Sequence, residues 1–96
     1  MINCKSAKSE LKLKAEAYLK AKQDARQIDG GSYGKDLYWM RFELGGSSEE
    51  DLALAKELVD LLHYDYDYDD VDVYTSKETG NYYIYATWRD RDYLRI

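Results

Sequence analysis

Apolar residues recur at helical spacing in two segments of the chain and alternate with polar residues in three others. From Ser6 to Ile28 no Gly or Pro interrupts a run rich in Ala, Lys and Leu, which predicts a long amphipathic helix. Its apolar stripe is Leu11, Ala15, Tyr18, Ala25 and Ile28. Gly30 and Gly31 predict the end of this helix, because glycine readily takes the left-handed conformation that follows a helix C-terminus.

A second helical pattern runs from Ser47 to Tyr64. Ser47 and Glu50 are three residues apart, the spacing of a capping box, so we expect the helix to begin there. Its first turn carries acidic residues, which suit the positive end of a helix dipole. The predicted buried stripe is Leu52, Ala55, Leu58, Val59 and Leu62.

Three segments alternate as strands do, near residues 37–44, 70–75 and 82–88. The turn "SKETGN" between the last two predicts a hairpin with Gly80 at a positive φ. The third strand is apolar or aromatic on both faces, as in the centre of a sheet. We therefore predict a single α+β domain, residues 1–96, with element order α-β-α-β-β. The charged residues 90–96 are a candidate extension of the last strand.

In this fold a three-stranded, mainly antiparallel sheet packs with two helices. A right-handed crossover through the second helix would make the first two strands parallel. The third strand would then lie between them and run antiparallel to both. The predicted strand order is 1-3-2.

The composition excludes several classes of protein. The chain of 96 residues has no Pro and one Cys, so neither a disulfide framework nor a cysteine-based zinc site forms within it. The first residues lack a signal-peptide core, and no run approaches the ~18 apolar residues of a membrane span. We expect a cytoplasmic protein with no membrane partner.

Charge is distributed unevenly along the chain. Residues 1–28 carry seven basic and three acidic side chains, although the net charge of the whole chain is −5. The segment from Glu43 to Asp72 contains many acidic residues and one Lys or Arg residue, Lys56. Such polarity predicts a strongly negative surface, which influences association rates and the choice of partner.

The most acidic stretch is "YDYDYDD", Tyr64 to Asp70. Asp65, Asp67 and Asp69 fit the first three ligand positions of a calcium loop, but Asp70 stands where that loop needs Gly and Ser76 where it needs Glu. No metal site is predicted. These Asp residues share parity with the core-facing Val71 and Val73, so a straight strand would bury three carboxylates at high cost. We therefore expect a loop or bulge that ends where the strand begins, near Asp70.

No residue pattern predicts catalysis or a cofactor. His63 lies at the end of the second helix, where it more readily satisfies terminal carbonyls. "GGSYGK" follows a helix rather than a strand, and "GGSSEED" places acidic residues where a phosphate would bind. We predict a protein that is not an enzyme, with no catalytic residues and no cofactor.

Acidic and Tyr residues predict a partner-binding surface instead. Alternate side chains of an extended segment lie ~6.6 to 6.8 Å apart, comparable to the separation of phosphates along nucleic acid. Tyr supplies a large contact area with few rotors. The candidate residues are Glu49, Glu50, Asp51, Glu57, Asp60, Tyr64, Asp65, Tyr66, Asp67, Tyr68, Asp69, Asp70, Asp72 and Tyr74. The competing interpretation is a solvated edge strand whose charges only prevent aggregation.

In size and composition, and in the segments "YDYDYDDVD" and "SSEEDLALAKELVD", the chain resembles small acidic anti-defence inhibitors of phages and mobile elements. These include anti-CRISPR and anti-restriction proteins, some of which mimic DNA. The resemblance implies a non-enzymatic inhibitor in the cytoplasm of a bacterial host. Its partner would be a basic nucleic-acid-binding protein or complex, a CRISPR effector or a restriction enzyme, and no direct binding of nucleic acid is expected. The basic first helix departs from a uniformly acidic mimic.

Two alternatives remain. One is an immunity protein or antitoxin that masks a nuclease. The other is a nucleic-acid-binding module that uses the basic first helix and an aromatic sheet face formed by Trp39, Tyr74, Tyr83 and Tyr85. If the first helix covers that face, its aromatic residues belong to the core. If it does not, a homodimer through the face is a further alternative.

Overall fold

The computed structural model describes the backbone of residues 2–89 and the side chains of residues 10–89. The helices are α1 (Ile2–Asp24) and α2 (Glu49–Asp60), and α2 continues into one π-helical turn, Leu61–Asp65. The strands are β1 (Asp29–Ser32), β2 (Leu37–Glu43), β3 (Asp70–Thr75) and β4 (Tyr82–Arg89). The tail at 90–96, a candidate extension of the last strand, lies outside the described residues.

The strands form one sheet in the order β1-β2-β4-β3, with every neighbouring pair antiparallel. The predicted 1-3-2 order is confirmed, since it corresponds to β2-β4-β3 with β2 parallel to β3. The strand count was too low by one, because Gly30 and Gly31 belong to β1 and pair with Met40 and Trp39. A Cβ at Gly31 would lie 2.9 Å from Trp39 Nε1, so this position leaves room for the indole ring.

The first helix ends before the glycine pair that was expected to stop it. Arg26 takes the left-handed conformation, with φ 55°. The N–H of Gln27 donates to the carbonyl of Lys22 (2.8 Å) and that of Arg26 to the carbonyl of Gln23 (3.0 Å). These two bonds define a Schellman motif, which satisfies the last helical carbonyls without glycine.

The core lies between the sheet and the two helices, which are on the same side of it. α2 packs directly on β3 and β4, whereas α1 packs mainly on α2. The ring of Tyr18 in α1 reaches β2, where its centroid lies 6.5 Å from that of Phe42. The buried apolar residues are Ala15, Leu19, Met40, Phe42, Leu44, Ala55, Leu58, Leu61, Leu62, Ile84 and Ala86. Their positions confirm the predicted alternation in β2 and β4 and the main stripe of α2.

The start of α2 differs by one residue from the prediction. Ser48, not Ser47, is the N-cap, and its hydroxyl accepts from the N–H of Asp51 at 3.2 Å. The Asp51 carboxylate in turn accepts from the Ser48 N–H at 3.1 Å. The capping box is therefore formed, but with Asp51 in the place expected for Glu50.

The predicted loop or bulge that ends near Asp70 is confirmed. β3 begins at Asp70, and Val71 and Val73 pair with Ala86 and Ile84 of β4 on the core side. The predicted hairpin follows, with Gly80 at φ 78°.

Candidate interaction surface

The segment Tyr64–Asp70, which we call the acidic connection, joins α2 to β3. Its first two residues complete the π-helical turn, and Asp67 has a φ of 61°. Asp tolerates this left-handed conformation better than most residues other than glycine. The connection is therefore a folded loop, and the regular spacing expected for an extended acidic track does not apply to Asp65, Asp67 and Asp69.

The C-terminal half of the acidic connection is anchored to β4. The ring of Tyr68 stacks on Trp88, with 4.3 Å between the centroids and 10° between the planes. The N–H of Asp69 donates to the carbonyl of Thr87 at 3.1 Å, and the Asp69 carboxylate accepts from the N–H of Arg89 at 2.8 Å. Tyr68 and Asp69 thus support the connection rather than present it to a partner.

His63 has a different role from the one expected. Its Nδ1 lies 3.1 Å from the carbonyl oxygen of Tyr68, in the connection rather than at the end of its own helix. The π-helical turn explains the difference, because the N–H groups of Tyr66 and Tyr68 already donate to the carbonyls of Leu61 and Leu62. His63 is therefore a further link between the end of the helix and the connection.

The N-terminal half of the connection projects into solvent. The exposed fractions of Tyr64 and Tyr66 are 75% and 44%, and Asp67 between Tyr66 and Tyr68 is also exposed. The Tyr66 ring meets Tyr68 edge-on at 6.2 Å. Two tyrosines and a carboxylate are thus displayed on a base that stacking and hydrogen bonds hold in place.

Among the described side chains, the basic first helix contacts this region through the ion pair of Lys12 and Asp65. Lys12 Nζ lies 2.8 Å from Asp65 Oδ2, and both side chains are partly exposed. The hydrogen bond to Asp65, followed by the charge of that residue, raises the pKa of Lys12. One basic residue of α1 therefore neutralises one acid of the connection and leaves Asp67 outside the pair.

The acidic residues of α2 are divided between its two ends. Glu49, Glu50 and Asp51 form the first turn, and Asp51 is engaged in the capping box. Asp60 ends the helix beside the connection, and half-buried Glu57 lies one turn before it. A helix of 12 residues is ~18 Å long. The acids of the first turn are therefore separated from the connection and do not form one patch with it.

The remaining predicted residues lie on the face of the sheet that points away from the helices, which we call the open face. Asp70, Asp72 and Tyr74 alternate with core-facing Val71 and Val73 along β3. A groove of about 320 Å³ runs between β3 and β4 on this side. Its lining residues include Asp70, Asp72, Tyr74, Tyr85 and Thr87.

Within residues 2–89 no helix packs on the open face. The alternative in which α1 covers this face and its aromatic residues belong to the core is therefore wrong. The reason is that α1 packs mainly on α2, on the opposite side of the sheet. Trp39 stacks with Tyr85 at 6.4 Å between centroids, and Tyr83 stacks with Tyr74 at 5.5 Å. All four are partly exposed. The open face is thus an uncovered aromatic surface.

Two residues of the open face were not among the sequence candidates. The Arg41 guanidinium lies 4.3 Å from the centroid of the Tyr83 ring. The hydroxyl of Tyr33, between β1 and β2, is hydrogen-bonded to the hydroxyl of Tyr85, which together with desolvation raises the pKa of Tyr85 to about 12. The β1–β2 hairpin that positions Tyr33 was not recognised, whereas Arg41 was on the correct side of β2 in the alternation.

Across the part of the chain with described side chains, no group of three or more His, Cys, Asp and Glu residues is arranged to hold a metal ion. Asp65 is directed to Lys12 and Asp69 to the Arg89 backbone, so the calcium-like spacing does not bring its acids together. None of the helices described is long and apolar enough to span a membrane.

The described residues define a two-layer α+β domain with both helices on one face of a four-stranded antiparallel sheet. Comparison of the chain with protein-family models, with curated protein sequences and with solved structures found no match. The two exposed surfaces, the acidic connection and the open face, therefore carry the functional proposals.

Proposed function

We propose that this protein is a non-enzymatic inhibitor that binds a basic nucleic-acid-handling protein, a CRISPR effector or a restriction enzyme. The observation that carries the proposal is the acidic connection, where exposed Tyr64, Tyr66 and Asp67 stand on the anchored Tyr68. Tyr is enriched among the residues that dominate binding energy at protein interfaces. A loop that is already held in one conformation loses less entropy when it binds.

The electrostatics favour a basic partner. The chain has a net charge of −5, and exposed Asp60 and Asp67 lie at the end of the molecule that presents the tyrosines. A protein that binds nucleic acid must offer positive charge to the phosphates. Attraction between the two surfaces would speed their encounter, and the desolvated tyrosines would slow dissociation. Occupation of the basic site would then exclude nucleic acid.

Mimicry of DNA is a narrower form of this proposal. Asp70 and Asp72 lie on one face of an extended strand, where alternate side chains are ~6.6 to 6.8 Å apart, a separation comparable to that of neighbouring phosphates. Only this pair retains the spacing, because the acids before Asp70 lie in the folded connection. Inhibition by charge and tyrosine contacts does not require a longer track.

The proposal is tested by capture from bacterial lysate on the immobilised protein, followed by a DNA-cleavage assay of the captured protein. A triple variant, Tyr64→Ala with Tyr66→Ala and Asp67→Asn, removes the displayed groups while Asn retains tolerance for the positive φ. The control, Glu49→Gln with Glu50→Gln, removes two charges at the distant end of α2. Thermal denaturation verifies that both variants fold.

We expect capture of a DNA- or RNA-cleaving protein whose activity the wild-type chain suppresses. The triple variant should lose affinity at least tenfold and the control should keep it. Added duplex DNA should compete with the chain for the captured protein. Equal affinity of the wild-type chain and a folded triple variant would refute the proposal. Capture of a nuclease toxin encoded beside this protein would assign it to the immunity class.

The uncovered open face favours a second candidate, a nucleic-acid-binding module. Trp39, Tyr83 and Tyr85 offer rings on which bases could stack, and Arg41 offers a cation. The carboxylates of Asp70 and Asp72 on the same face would repel a phosphate backbone. A mobility shift of single- or double-stranded probes at low salt would support this candidate, whereas an inhibitor should leave the probes unshifted.

A further inference from the structure

We propose that the open face is the interface of a homodimer in which two copies pack sheet against sheet about a two-fold axis parallel to β4. This inference does not depend on the proposed function, because it uses the sheet and leaves exposed Tyr64, Tyr66 and Asp67, the residues that carry that function. The occupant is a second copy of this chain because a two-fold arrangement places the Arg41 guanidinium opposite the Asp72 carboxylate and the donors of the neighbouring rows opposite acceptors. Three cross-strand rows of side chains show this.

The central argument comes from the row that runs across β2, β4 and β3. In the register of the sheet, Arg41 of β2 lies beside Tyr85 of β4, and Tyr85 lies beside Asp72 of β3. A cation and an anion therefore flank a tyrosine. A two-fold axis along β4 places β2 of one copy opposite β3 of the other. Arg41 then faces Asp72 of the second copy, and the symmetry forms this ion pair twice.

The neighbouring rows are complementary in the same arrangement. In one row Trp39 and Asp70 flank Thr87, so the indole N–H of one copy faces a carboxylate of the other. In the next row Glu43 and Tyr74 flank Tyr83, which places a carboxylate opposite a tyrosine hydroxyl. Each row thus pairs a donor with an acceptor.

The perpendicular choice of axis is disfavoured. A two-fold axis along the row of Arg41, Tyr85 and Asp72 would place Arg41 opposite Arg41 and Asp72 opposite Asp72. Like charges brought together at an interface oppose association. The pairing of Arg41 with Asp72 therefore favours the axis parallel to the strands, which is also compatible with the ~30° alignment of packed sheets. This axis places Arg89, at the end of β4, opposite its own counterpart, and there the Asp36 carboxylate 3.1 Å away offsets each charge.

The groove on the open face has the position that this dimer requires. It is about 320 Å³ in volume and includes both Asp72 and Tyr85 in its lining, so it lies where the Arg41 side chain of the second copy would enter. Arg41 is already held over the ring of Tyr83 and lies 3.5 Å from Glu43 Oε1 of its own copy, and its side chain is 36% exposed, so the guanidinium would add Asp72 of the second copy as a further partner. A partly ordered guanidinium loses less conformational entropy when it forms a new pair.

The size of the face predicts a weak dimer. With the axis along β4, β1 has no counterpart in the second copy, so the strands that face each other are β2, β4 and β3. At ~4.8 Å between strands and ~3.3 Å per residue over about seven residues, they present roughly 330 Å² per copy before the relief of the side chains is counted. Two copies would bury about 700 Å² or somewhat more, which is less than the ~1,200 to 2,000 Å² of stable interfaces. We therefore expect a weak, transient dimer that is populated at high protein concentration.

The test uses two single charge reversals in the full chain, Arg41→Asp and Asp72→Arg. In a dimer of either variant both ion pairs become pairs of like charge, so each variant alone should be monomeric. In a mixture of the two, the heterodimer has Asp opposite Arg at both positions, which restores both attractions. Sedimentation equilibrium from about 1 to 500 μM measures each state.

We expect a wild-type dimer, at least tenfold weaker association of each single variant, and recovery of dimer in the equimolar mixture. Glu49→Arg, a reversal on α2, should not affect association. A wild-type chain that is monomeric at 500 μM, or a mixture that stays monomeric, would overturn the proposal, as would a probe shift abolished by Arg41→Asp. If a reversal prevents folding, Arg41→Gln and Asp72→Asn replace the pair, and each should weaken the dimer at least threefold.

Discussion

Removal of the Tyr68 ring should both destabilise the domain and release the acidic connection. Tyr68 is half-buried, and its ring stacks on Trp88 at 4.3 Å, the closest ring pair among the described residues. Truncation of a fully buried large aromatic residue to Ala costs ~3 to 5 kcal/mol. For a half-buried ring we expect about half of that, roughly 2 kcal/mol in the free energy of unfolding.

A loss of this size is readily measured. For a domain of this length each kcal/mol shifts the melting temperature by ~4 to 8 °C, so Tyr68→Ala should lower it by about 8 to 16 °C. Tyr68→Phe is the matched control. It keeps the stacked ring and removes a hydroxyl for which no hydrogen bond is observed among the described side chains, so its effect should be under about 1 kcal/mol.

A double-mutant cycle separates the stacking from general loss of packing. Tyr68→Ala, Trp88→Ala and the double variant should give a coupling free energy of about 1 kcal/mol, the usual range for an aromatic pair being ~0.5 to 1.5 kcal/mol. Amide exchange of residues 64–69 should also accelerate in Tyr68→Ala. A coupling energy close to zero, with unchanged exchange, would show that the stack does not hold the connection.

Two further predictions concern the helix cap and alkaline pH. Ser48→Ala should cost about 1 kcal/mol of unfolding free energy because it removes the N-cap, whereas Ser47→Ala should cost little; equal losses in urea denaturation would contradict this assignment. Burial raises the pKa values of Tyr18 and Tyr68, so their ionisation favours the unfolded chain. Stability should therefore be retained below pH ~10, the unfolded-state pKa of Tyr, and fall as pH rises through the folded-state values. Melting temperatures measured at a series of pH values, together with phenolate absorbance to follow ionisation, check this prediction. Tyr68→Phe should reduce the loss of stability at high pH, and a melting temperature independent of pH from 9 to 11.5 would exclude the prediction.

Several features of the fold followed from local pattern alone. Alternation assigned Met40 and Phe42 to the core side of β2, and helical spacing assigned Leu58 to the core side of α2, because burial repeats with the period of the backbone. The loop before Asp70 was predicted from parity, since the alternative would bury carboxylates. Order 1-3-2 followed from the two-sided apolar character of β4 and from the handedness of crossovers.

Other features required tertiary contacts. Gly30 and Gly31 were predicted to end the first helix. In the structure they belong to the edge strand β1, which pairs with β2 and leaves room for the ring of Trp39. Arg26 ends α1 in a conformation that its own side chain does not favour, because hydrogen bonds across the last turn compensate. Local propensity favours glycine for such an ending, so the sequence pointed to Gly30 and Gly31 rather than to Arg26.

The candidate site shows the same division. The sequence by itself determined that the region from Tyr64 to Asp70 is acidic, rich in Tyr and unable to form a straight strand, because composition and parity are properties of the chain. Only the tertiary structure decided which of these residues a partner could reach. Trp88 draws Tyr68 inward and Lys12 pairs with Asp65, while Tyr64 and Tyr66 remain exposed. Exposure and pairing depend on residues distant in sequence, so periodicity within one segment could not supply them.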